Sequence, residues 1–393
     1  MIADQDAVPP PIHAGTRRWS LAAAIASVAV FGLSIGQAAP LLSLLLETRG
    51  TDVTLNGVNA AATFLGVILG ARIAPHGVRR FGVRNFLLLC FALDIVTTLS
   101  LKAFGFIAAW FALRFVLGVI GASIFTTSEA WINLLAAGER RGQIVGLYAG
   151  ALAAGFGTGP LLLSLTGIQG WLPFALNATI TAAATLPLLA IRGPASGFTA
   201  QQPATWRSIF TRAPLIFIAV ALFGLYEAAL MALLPVWGVR IGLSDRAAAA
   251  TLSGIFLGAI ALQVPIGWLS DKLTRRTVLR LCSAVGLVGA ALLAVLSPSH
   301  FALFGLLFVW GGIASGIYPI ALSMAGDRFH NAELVAVNSA LISAYGLGAL
   351  AGPVLAGAAM DLVGPRGLPA VFFTVFLAFL ITERASPATG NGA

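Results

Sequence analysis

The stretch Phe111–Leu163 reads FALRFVLGVIGASIFTTSEAWINLLAAGERRGQIVGLYAGALAAGFGTGPLLL. It contains two long apolar segments that are joined by the short charged turn Gly138–Gly142. Inside lipid a backbone must satisfy its own hydrogen bonds, and about 20 apolar residues are enough for a helix to cross the hydrocarbon core. The stretch therefore predicts two consecutive membrane-spanning helices.

A second copy of this pattern occurs later in the chain. Phe308–Gly311 (FVWG) lies 193 residues after Phe115–Gly118 (FVLG), and Gly352 with Pro353 lies 193 residues after Gly159 with Pro160. An offset shared by two separate landmarks indicates an internal duplication. We therefore expect a membrane protein of two similar halves with its working surface between them.

The composition excludes a soluble globular protein. Hydrophobic residues make up 59% of the 393 residues, charged residues make up 9%, and the mean hydropathy is +0.94. An ordinary soluble domain is about 25% charged. The apolar segments show no alternation of apolar and polar residues, so they predict helices and not the strands of a barrel. We place twelve spans, which gives an all-α membrane protein of two pseudo-symmetric six-helix bundles.

The longest polar interruption of the chain includes Gln201, Gln202 and Pro203, and it marks the boundary between the halves. It divides the chain into the following expected units: a disordered cytoplasmic tail 1–16, a first bundle 17–191, a cytoplasmic linker 192–212, a second bundle 213–384, and a disordered tail 385–393.

The distribution of basic residues predicts the orientation. With the N-terminus inside, the cytoplasmic segments hold 17 of the 23 lysines and arginines, the opposite side holds 5, and Arg114 lies within a span. Because positive residues accumulate on the cytoplasmic side, we expect an inner-membrane protein with both termini in the cytoplasm. The formal net charge of +9 then reflects topology, and nucleic acid is not expected as a partner.

Two loops resemble the signature loop of the major facilitator superfamily. Gly267–Arg276 reads GWLSDKLTRR and matches the family's pattern of glycine, aspartate and basic residues. The equivalent loop, Gly70–Arg84, keeps the glycines and arginines. It has Ala74 where Asp271 would align, so the first half lacks the acidic residue of this signature.

Two further motifs strengthen the resemblance. Arg114–Gly118 (RFVLG) is similar to the family's membrane-embedded arginine motif, and Gly155–Pro160 is similar to a motif of its antiporters, although Leu163 and Ser164 replace the usual glycine pair. The SEAW and RRG sequences resemble a bacterial branch that includes copper and riboflavin importers. The resemblance implies a twelve-span secondary transporter in which spans 1, 4, 7 and 10 line a central cavity.

Metal and enzyme chemistry are not expected. Copper is disfavoured because its soft ligands are scarce: the four methionines form no spaced pair. The four histidines fall in tails or loops, no nucleotide-hydrolysis or zinc-protease motif is present, and Cys90 and Cys282 are interpreted as small buried apolar residues. We therefore predict no cofactor, no metal and no enzymatic activity.

Three charged residues fall deep within spans, where a charge costs at least about 2.5–3.5 kcal/mol and so needs a reason. Glu227, in the middle of span 7, is the first candidate for proton coupling, because burial favours the neutral form of a carboxyl. The alternative is a structural role, as a fixed partner of Arg114 or in a hydrogen bond to the neighbours of Tyr226. Arg114 is a candidate for binding an anionic or carbonyl-bearing solute. Asp94 is either a second proton site or a structural partner of Arg114.

Other polar residues on the expected inner helices could contact a solute, although each could equally bond helix to helix. These candidates are Gln37, Ser123, Thr126, Tyr226, Trp310, Tyr318, Asn338 and Tyr345.

A set of charged residues near the predicted cytoplasmic ends could form a gate, or could be solvated surface groups. Glu129 lies 15 residues after Arg114, about 22 Å further along a helix. It could form ion pairs that break when the inner side opens, and Asp271 could form similar ion pairs. The predicted gate consists of Glu129, Arg72, Arg79, Arg80, Asp271, Arg275 and Arg276.

The sequence therefore predicts a secondary transporter that moves a small organic solute through the lipid bilayer by alternating access, with protons as the coupling ion. The family resemblance implies a monomer. Two alternatives remain at this point: an uncoupled facilitator, or a membrane sensor or scaffold that kept the fold without transporting.

Overall fold

The chain folds into long helices that pack side by side. The structure is a computed structural model, and every regular element in the residues that it describes is helical. Ten apolar segments are long enough to cross a membrane, and two of them, Val53–Ala103 and Ala340–Ala385, each contain two spans, which gives twelve. The described residues are 14–135, 141–191, 210, 212–295, 300–329 and 331–385.

We number the spans α1 to α12 in chain order. The helix Val53–Ala103 divides at Gly82 into α2 (53–81) and α3 (83–103), while α6 and α10 each contain a short interruption. The remaining bounds are α1 Ala14–Glu47, α4 Ile107–Leu135, α5 Arg141–Thr166, α6 Leu172–Ala184 with Leu186–Leu189, α7 Pro214–Arg240, α8 Asp245–Lys272, α9 Arg275–Val295, α10 His300–Ala314 with Ile317–Arg328, α11 Asn331–Val363 and α12 Gly367–Ala385.

The predicted tails and linker lie largely outside the described residues. Where they do not, the helices extend further than we expected: α1 includes residues 14–16 of the predicted tail, and α12 includes Ala385.

A single glycine reverses the chain between α2 and α3. Gly82 has φ +74°, a conformation that residues with a Cβ atom rarely adopt. The reversal returns α3 to the end at which α2 began, because Leu101 and Leu46 lie in one apolar cluster near that end.

Equivalent glycines hold the same helix pair together in each half. On α5, a Cβ atom at Gly155 would lie 2.3 Å from the carbonyl oxygen of Ala29 on α1. On α11, 193 residues later, a Cβ atom at Gly348 would lie 1.8 Å from the carbonyl oxygen of Ala221 on α7. Both distances are far below contact distance, so each pair of helices approaches as closely as it does only because glycine has no side chain.

Among the described residues, the most extensive contacts between the two halves are those of α2 with α11, α5 with α8, and α1 with α7. The α5–α8 contact includes the stacked rings of Phe156 and Phe256, whose centroids are 5.6 Å apart, and a hydrogen bond from Ser253 to the carbonyl of Gly157. We call the boundary between α1–α6 and α7–α12 the seam.

Candidate functional site

Glu227 lies at the centre of α7, thirteen residues from Pro214 and thirteen from Arg240. Its side chain is partly exposed, and the Tyr345 hydroxyl of α11 donates a hydrogen bond of 2.7 Å to Oε2. Among the side chains that the structure describes, no lysine, arginine or histidine forms an ion pair with Glu227. A carboxyl at half the depth of the membrane therefore has a hydroxyl partner and no positively charged one.

Tyr345 belongs to a cluster of three aromatic rings that we call the aromatic wall: Phe223, Tyr318 and Tyr345. The ring centroids of Phe223 and Tyr318 are 5.7 Å apart, and those of Tyr318 and Tyr345 are 6.2 Å apart. Phe223 is buried, whereas both tyrosines are partly exposed. Phe223 belongs to α7, Tyr318 to α10 and Tyr345 to α11, so three helices of the second half form the wall.

The first half contains a polar network of a different kind around Asp94. Asp94 lies near the middle of α3 and is 3% exposed. It accepts hydrogen bonds from the Ser34 hydroxyl of α1 at 3.2 Å and from the Thr181 hydroxyl of α6 at 3.4 Å. These partners all belong to the first half, so the carboxyl is sealed within that bundle.

Arg114 shares a cavity with Asp94 but forms no ion pair with it or with any other described carboxylate. Its Nη2 atom donates at 3.3 Å both to the carbonyl of Ala39 and to the hydroxyl of Ser43, and its Nε atom has no hydrogen-bond partner. The cavity measures about 30 Å³, which is room for water but not for an organic solute. The predicted alternative of a direct Asp94–Arg114 bridge is therefore absent from this structure.

One end of the seam is closed by polar contacts between the halves; we call it the closed end. At the last residue of α1, Glu47 accepts a hydrogen bond of 2.7 Å from Nε of Arg240, the last residue of α7. On α11, Asp361 accepts from the backbone N–H groups of Val53 at 3.0 Å and Thr54 at 2.7 Å. The carboxylate therefore satisfies N–H groups that the first turn of α2 leaves without helical partners.

The opposite end carries most of the predicted cytoplasmic arginines, and we call it the arginine-rich end. Its visible ion pairs join helices of the second half: Arg275 with Asp327 at 2.8 Å, and Arg276 and Arg280 with Glu383 at 2.5 and 2.7 Å.

The predicted gate, which was expected to break when this end opens, stays a prediction. Arg72, Arg79, Arg80 and Asp271 are exposed, and none of the three arginines forms an ion pair with Glu129 among the described side chains.

Several of the other predicted solute contacts are buried or already bonded to protein groups. Tyr226 and Trp310, each 1% exposed, pack ring against ring inside the second half with centroids 5.6 Å apart. Gln37 bonds to the carbonyl of Pro173 and to Asn177, and Ser123 bonds to the carbonyls of Val119 and Gly70. Of the other two candidates, Thr126 is partly buried, and the side chain of Asn338 lies outside the described residues.

Sequence reasoning missed the residues of the closed end and the third ring of the wall, Phe223. Glu47 and Arg240 lie 193 residues apart, which is the repeat offset, so they are equivalent positions that meet across the pseudo-two-fold axis. The repeat offset of 193 residues could therefore have predicted the pairing of Glu47 with Arg240. No comparable signal singled out Phe223 among the 25 phenylalanines.

No metal site is visible in the part of the chain that the structure describes. No group of three or more histidine, cysteine, aspartate or glutamate side chains is suitably placed, and Cys90 and Cys282 are both buried as free thiols.

Twelve helices in two glycine-packed halves, with a partly exposed carboxyl at the centre of α7 and one end sealed, are the arrangement expected of a membrane transport protein. Comparison with known proteins gives the family: the model of the Major Facilitator Superfamily matches residues 22–256 and 241–391. The chain belongs to this family, whose members are transporters and not enzymes.

Two relatives are similar in sequence to this chain along most of its length. The uncharacterized MFS-type transporter YfkF of Bacillus subtilis is 26% identical over 336 residues, covering 84% of this chain and 86% of the relative. The uncharacterized MFS-type transporter YE1530 of Yersinia enterocolitica is 26% identical over 362 residues, covering 91% and 93%.

Two solved structures show the same fold. The nucleoside transporter NupG has a TM-score of 0.76 at 15% identity, covering 93% of this chain and 98% of that one. A bacterial homologue of the human lysosomal transporter Spinster, in an inward-facing and unoccupied conformation, has a TM-score of 0.74 at 15% identity, covering 95% and 100%. At these identities the likeness concerns the fold alone.

Proposed function

We propose that this protein is a secondary transporter that moves a small organic solute by alternating access and couples that movement to protons at Glu227. The observation that carries the proposal is the position of Glu227: a partly exposed carboxyl at the centre of α7, without a cationic partner among the described residues.

Proton coupling follows from the cost of closing the seam around a charge. An ionised carboxylate that loses contact with water, and has only a hydroxyl as its partner, is destabilised by several kcal/mol. The protonated carboxyl is neutral and can be enclosed at much lower cost. Protonation, or a solute that neutralises the charge, therefore lowers the barrier to passing from one open state to the other.

The two ends of the seam supply the other requirement of alternating access. Glu47–Arg240 and the Asp361 contact to α2 join the halves at the closed end, together with fully buried residues such as Leu46 and Ala248. These contacts must separate when that end opens. The partial exposure of Glu227 supports access from the arginine-rich end in the conformation described here.

We also propose that the arginine-rich end faces the cytoplasm of a bacterial inner membrane, with both termini on that side. The support is the excess of lysine and arginine on that side of the predicted map, 17 against 5.

A solute-free experiment tests the proton step. Phe81 and Thr274 lie 193 residues apart, are exposed at the arginine-rich end, and belong to opposite halves. Fluorophores attached at Phe81→Cys and Thr274→Cys, in a Cys90→Ala, Cys282→Ala background, report opening and closing by single-molecule energy transfer in liposomes. We expect the halves to interconvert faster as the pH falls, by up to about tenfold per unit.

Glu227→Gln should interconvert fast at every pH, because its side chain is always neutral. Asp52→Asn, an equal change of charge at an exposed position, should behave like the parent protein. Interconversion of the parent at a rate independent of pH would contradict proton coupling and favour an uncoupled facilitator. A parent protein that never changes conformation would favour the sensor or scaffold.

A further inference from the structure

We propose that the solute is an organic cation with an aromatic body, held by the carboxylate of Glu227 against the exposed ring faces of Tyr318 and Tyr345. This inference rests on the proposed function and names the chemistry of the solute at the same site.

The charge that this site offers to a solute is negative. Glu227 contacts the Tyr345 hydroxyl and has no positively charged partner among the described side chains, so one unit of negative charge is uncompensated when the carboxyl is ionised. A carboxylate-bearing solute would be repelled here, and a cation would be attracted.

Arg114, which the sequence offered as an anion-binding group, does not compensate for this charge. It is 2% exposed, and its guanidinium is engaged with Ala39 and Ser43 of α1 inside the first half. The cavity that Arg114 lines holds about 30 Å³, too little for an organic molecule. The cavity beside Arg114 therefore has no room for an organic anion.

The aromatic wall supplies the second part of the recognition. The face of an aromatic ring carries partial negative charge and attracts a cation placed over it, most strongly where water is excluded. Tyr345 bonds to the carboxyl, the ring centroid of Tyr318 lies 6.2 Å from that of Tyr345, and both tyrosines remain partly exposed. Buried Phe223 contacts both rings and fixes their positions, with centroids 5.7 and 6.4 Å away.

A proton and a cationic solute must compete for this group. When the cation binds, the carboxyl proton leaves to water, and when the carboxyl is protonated again, the site loses its negative charge and releases the cation. Either occupant neutralises the carboxylate and lets the seam close, so the geometry leads to exchange of one proton for one monovalent cation.

The test compares three naphthalene compounds of similar shape, one positively charged, one neutral and one negatively charged, together with a larger cation. The full-length protein, purified in a neutral detergent, is titrated at pH 8 with 1-naphthylmethylamine, 1-naphthalenemethanol and 1-naphthoate, and with tetraphenylphosphonium as a larger permanent cation. Binding is measured by calorimetry. We expect at least one of the two cations to bind at least about tenfold more tightly than the alcohol or the naphthoate, and its affinity to fall as the pH is lowered.

Three variants locate the binding. Glu227→Gln should lose at least about tenfold in cation affinity and all of its pH dependence. Tyr318→Leu should weaken cation binding about threefold to tenfold while keeping the pH dependence, because the carboxylate is still present. Asp52→Asn should bind like the parent, and size-exclusion chromatography confirms that each variant is folded.

The inference is overturned if the naphthoate or the alcohol binds as tightly as the cations, if neither cation binds at millimolar concentration, or if Glu227→Gln and Tyr318→Leu bind like the parent. Because the energy-transfer experiment above needs no solute, it separates the two proposals. If the protein binds no cation but still interconverts in a pH-dependent way, the proposed substrate class is wrong and proton coupling is still supported.

Discussion

The two halves of this protein use the same backbone packing and different polar chemistry. Gly155 and Gly348 occupy equivalent positions and bring equivalent helices together. The charged residues at membrane depth are not equivalent: Asp94 is 3% exposed and is enclosed by hydroxyl groups inside the first half, whereas Glu227 is partly exposed and accepts a hydrogen bond from Tyr345.

This difference shows which features a duplicated fold must retain and which it can change. A close approach between two helices requires a residue without a side chain, so substitution there is penalised in either half. A polar group can serve as structure in one half and as a functional group in the other. The direction in which the carboxyl points, toward its own bundle or toward the seam, makes the difference.

The largest effect is expected at the shared glycines. Gly348→Leu and Gly155→Leu should each cost at least about 3 kcal/mol of stability or prevent folding, because the new side chain would collide with a backbone carbonyl of α7 or α1. Yield of monodisperse protein and thermal unfolding measure this.

Gly305→Leu is the matched control, since nothing lies within 4 Å of a Cβ atom at Gly305. If Gly155→Leu were tolerated and Gly348→Leu were not, the halves would not be equivalent in packing.

A smaller effect is expected where α3 meets α6 and α9 meets α12. In the second half, the fully buried carboxylate of Glu383 pairs with Arg276 and Arg280. In the first half, Arg84 donates to the carbonyl of Leu188 at 2.9 Å. Glu383→Gln should cost about 2–3 kcal/mol, a value reduced from that of a fully buried pair because the arginines are partly exposed.

Arg84→Gln should cost about 1 kcal/mol, the value of one lost hydrogen bond. Thermal unfolding of the two variants in the same detergent measures both costs. If both variants lost the same stability, the ion pairs of Glu383 would contribute no more than the hydrogen bond from Arg84 to the backbone of Leu188.

The third prediction concerns the two membrane-embedded carboxyls. Asp94→Asn should lower stability by about 1–2 kcal/mol, because an NH2 group replaces one of the two carboxylate oxygens that accept from Ser34 and Thr181, and should leave the pH dependence of interconversion unchanged. Glu227→Gln should do the reverse and change the pH dependence with little loss of stability. Thermal unfolding and the energy-transfer assay measure the two properties. A loss of pH dependence in Asp94→Asn would assign proton coupling to the first half.

The smallest effect is expected at the closed end. Arg240→Gln removes one partly exposed ion pair, worth about 1 kcal/mol or less, and should increase the population open at that end about threefold to fivefold. The reversed pair Glu47→Arg, Arg240→Glu should return the population toward that of the parent. Reactivity of a cysteine introduced near the seam at this end measures the population. A reversed pair that behaves like the single variant would show that charge pairing does not hold the end closed.

The sequence was most informative where a single physical constraint acts on a whole segment. The length of the apolar runs predicted twelve spans, and the repeat offset predicted two halves; the structure has both. The cost of a charge in lipid selected Glu227, Arg114 and Asp94. It did not predict that Asp94 and Arg114 would share a water-sized cavity without pairing, because that depends on where α1 and α6 place their hydroxyls.

Neighbouring positions on α7 show the limit of the sequence most clearly. Tyr226 and Glu227 were both candidates for the site, yet Tyr226 points into the second half against Trp310 and Phe372, while Glu227 faces Tyr345. Successive side chains on a helix point about 100° apart, so one rotation of the helix decides between the two. Apolar residues lie on every side of α7, so the sequence carries no stripe that fixes this rotation.

The sequence by itself thus determined the number and order of the spans, the duplication and the depth of each charged residue, because these follow from composition and length in a bilayer. Tertiary structure decided which charges face the seam and which ends of the halves touch. Those choices depend on helix rotation and on contacts between residues 193 to 308 positions apart, such as Glu47 with Arg240 and Val53 with Asp361.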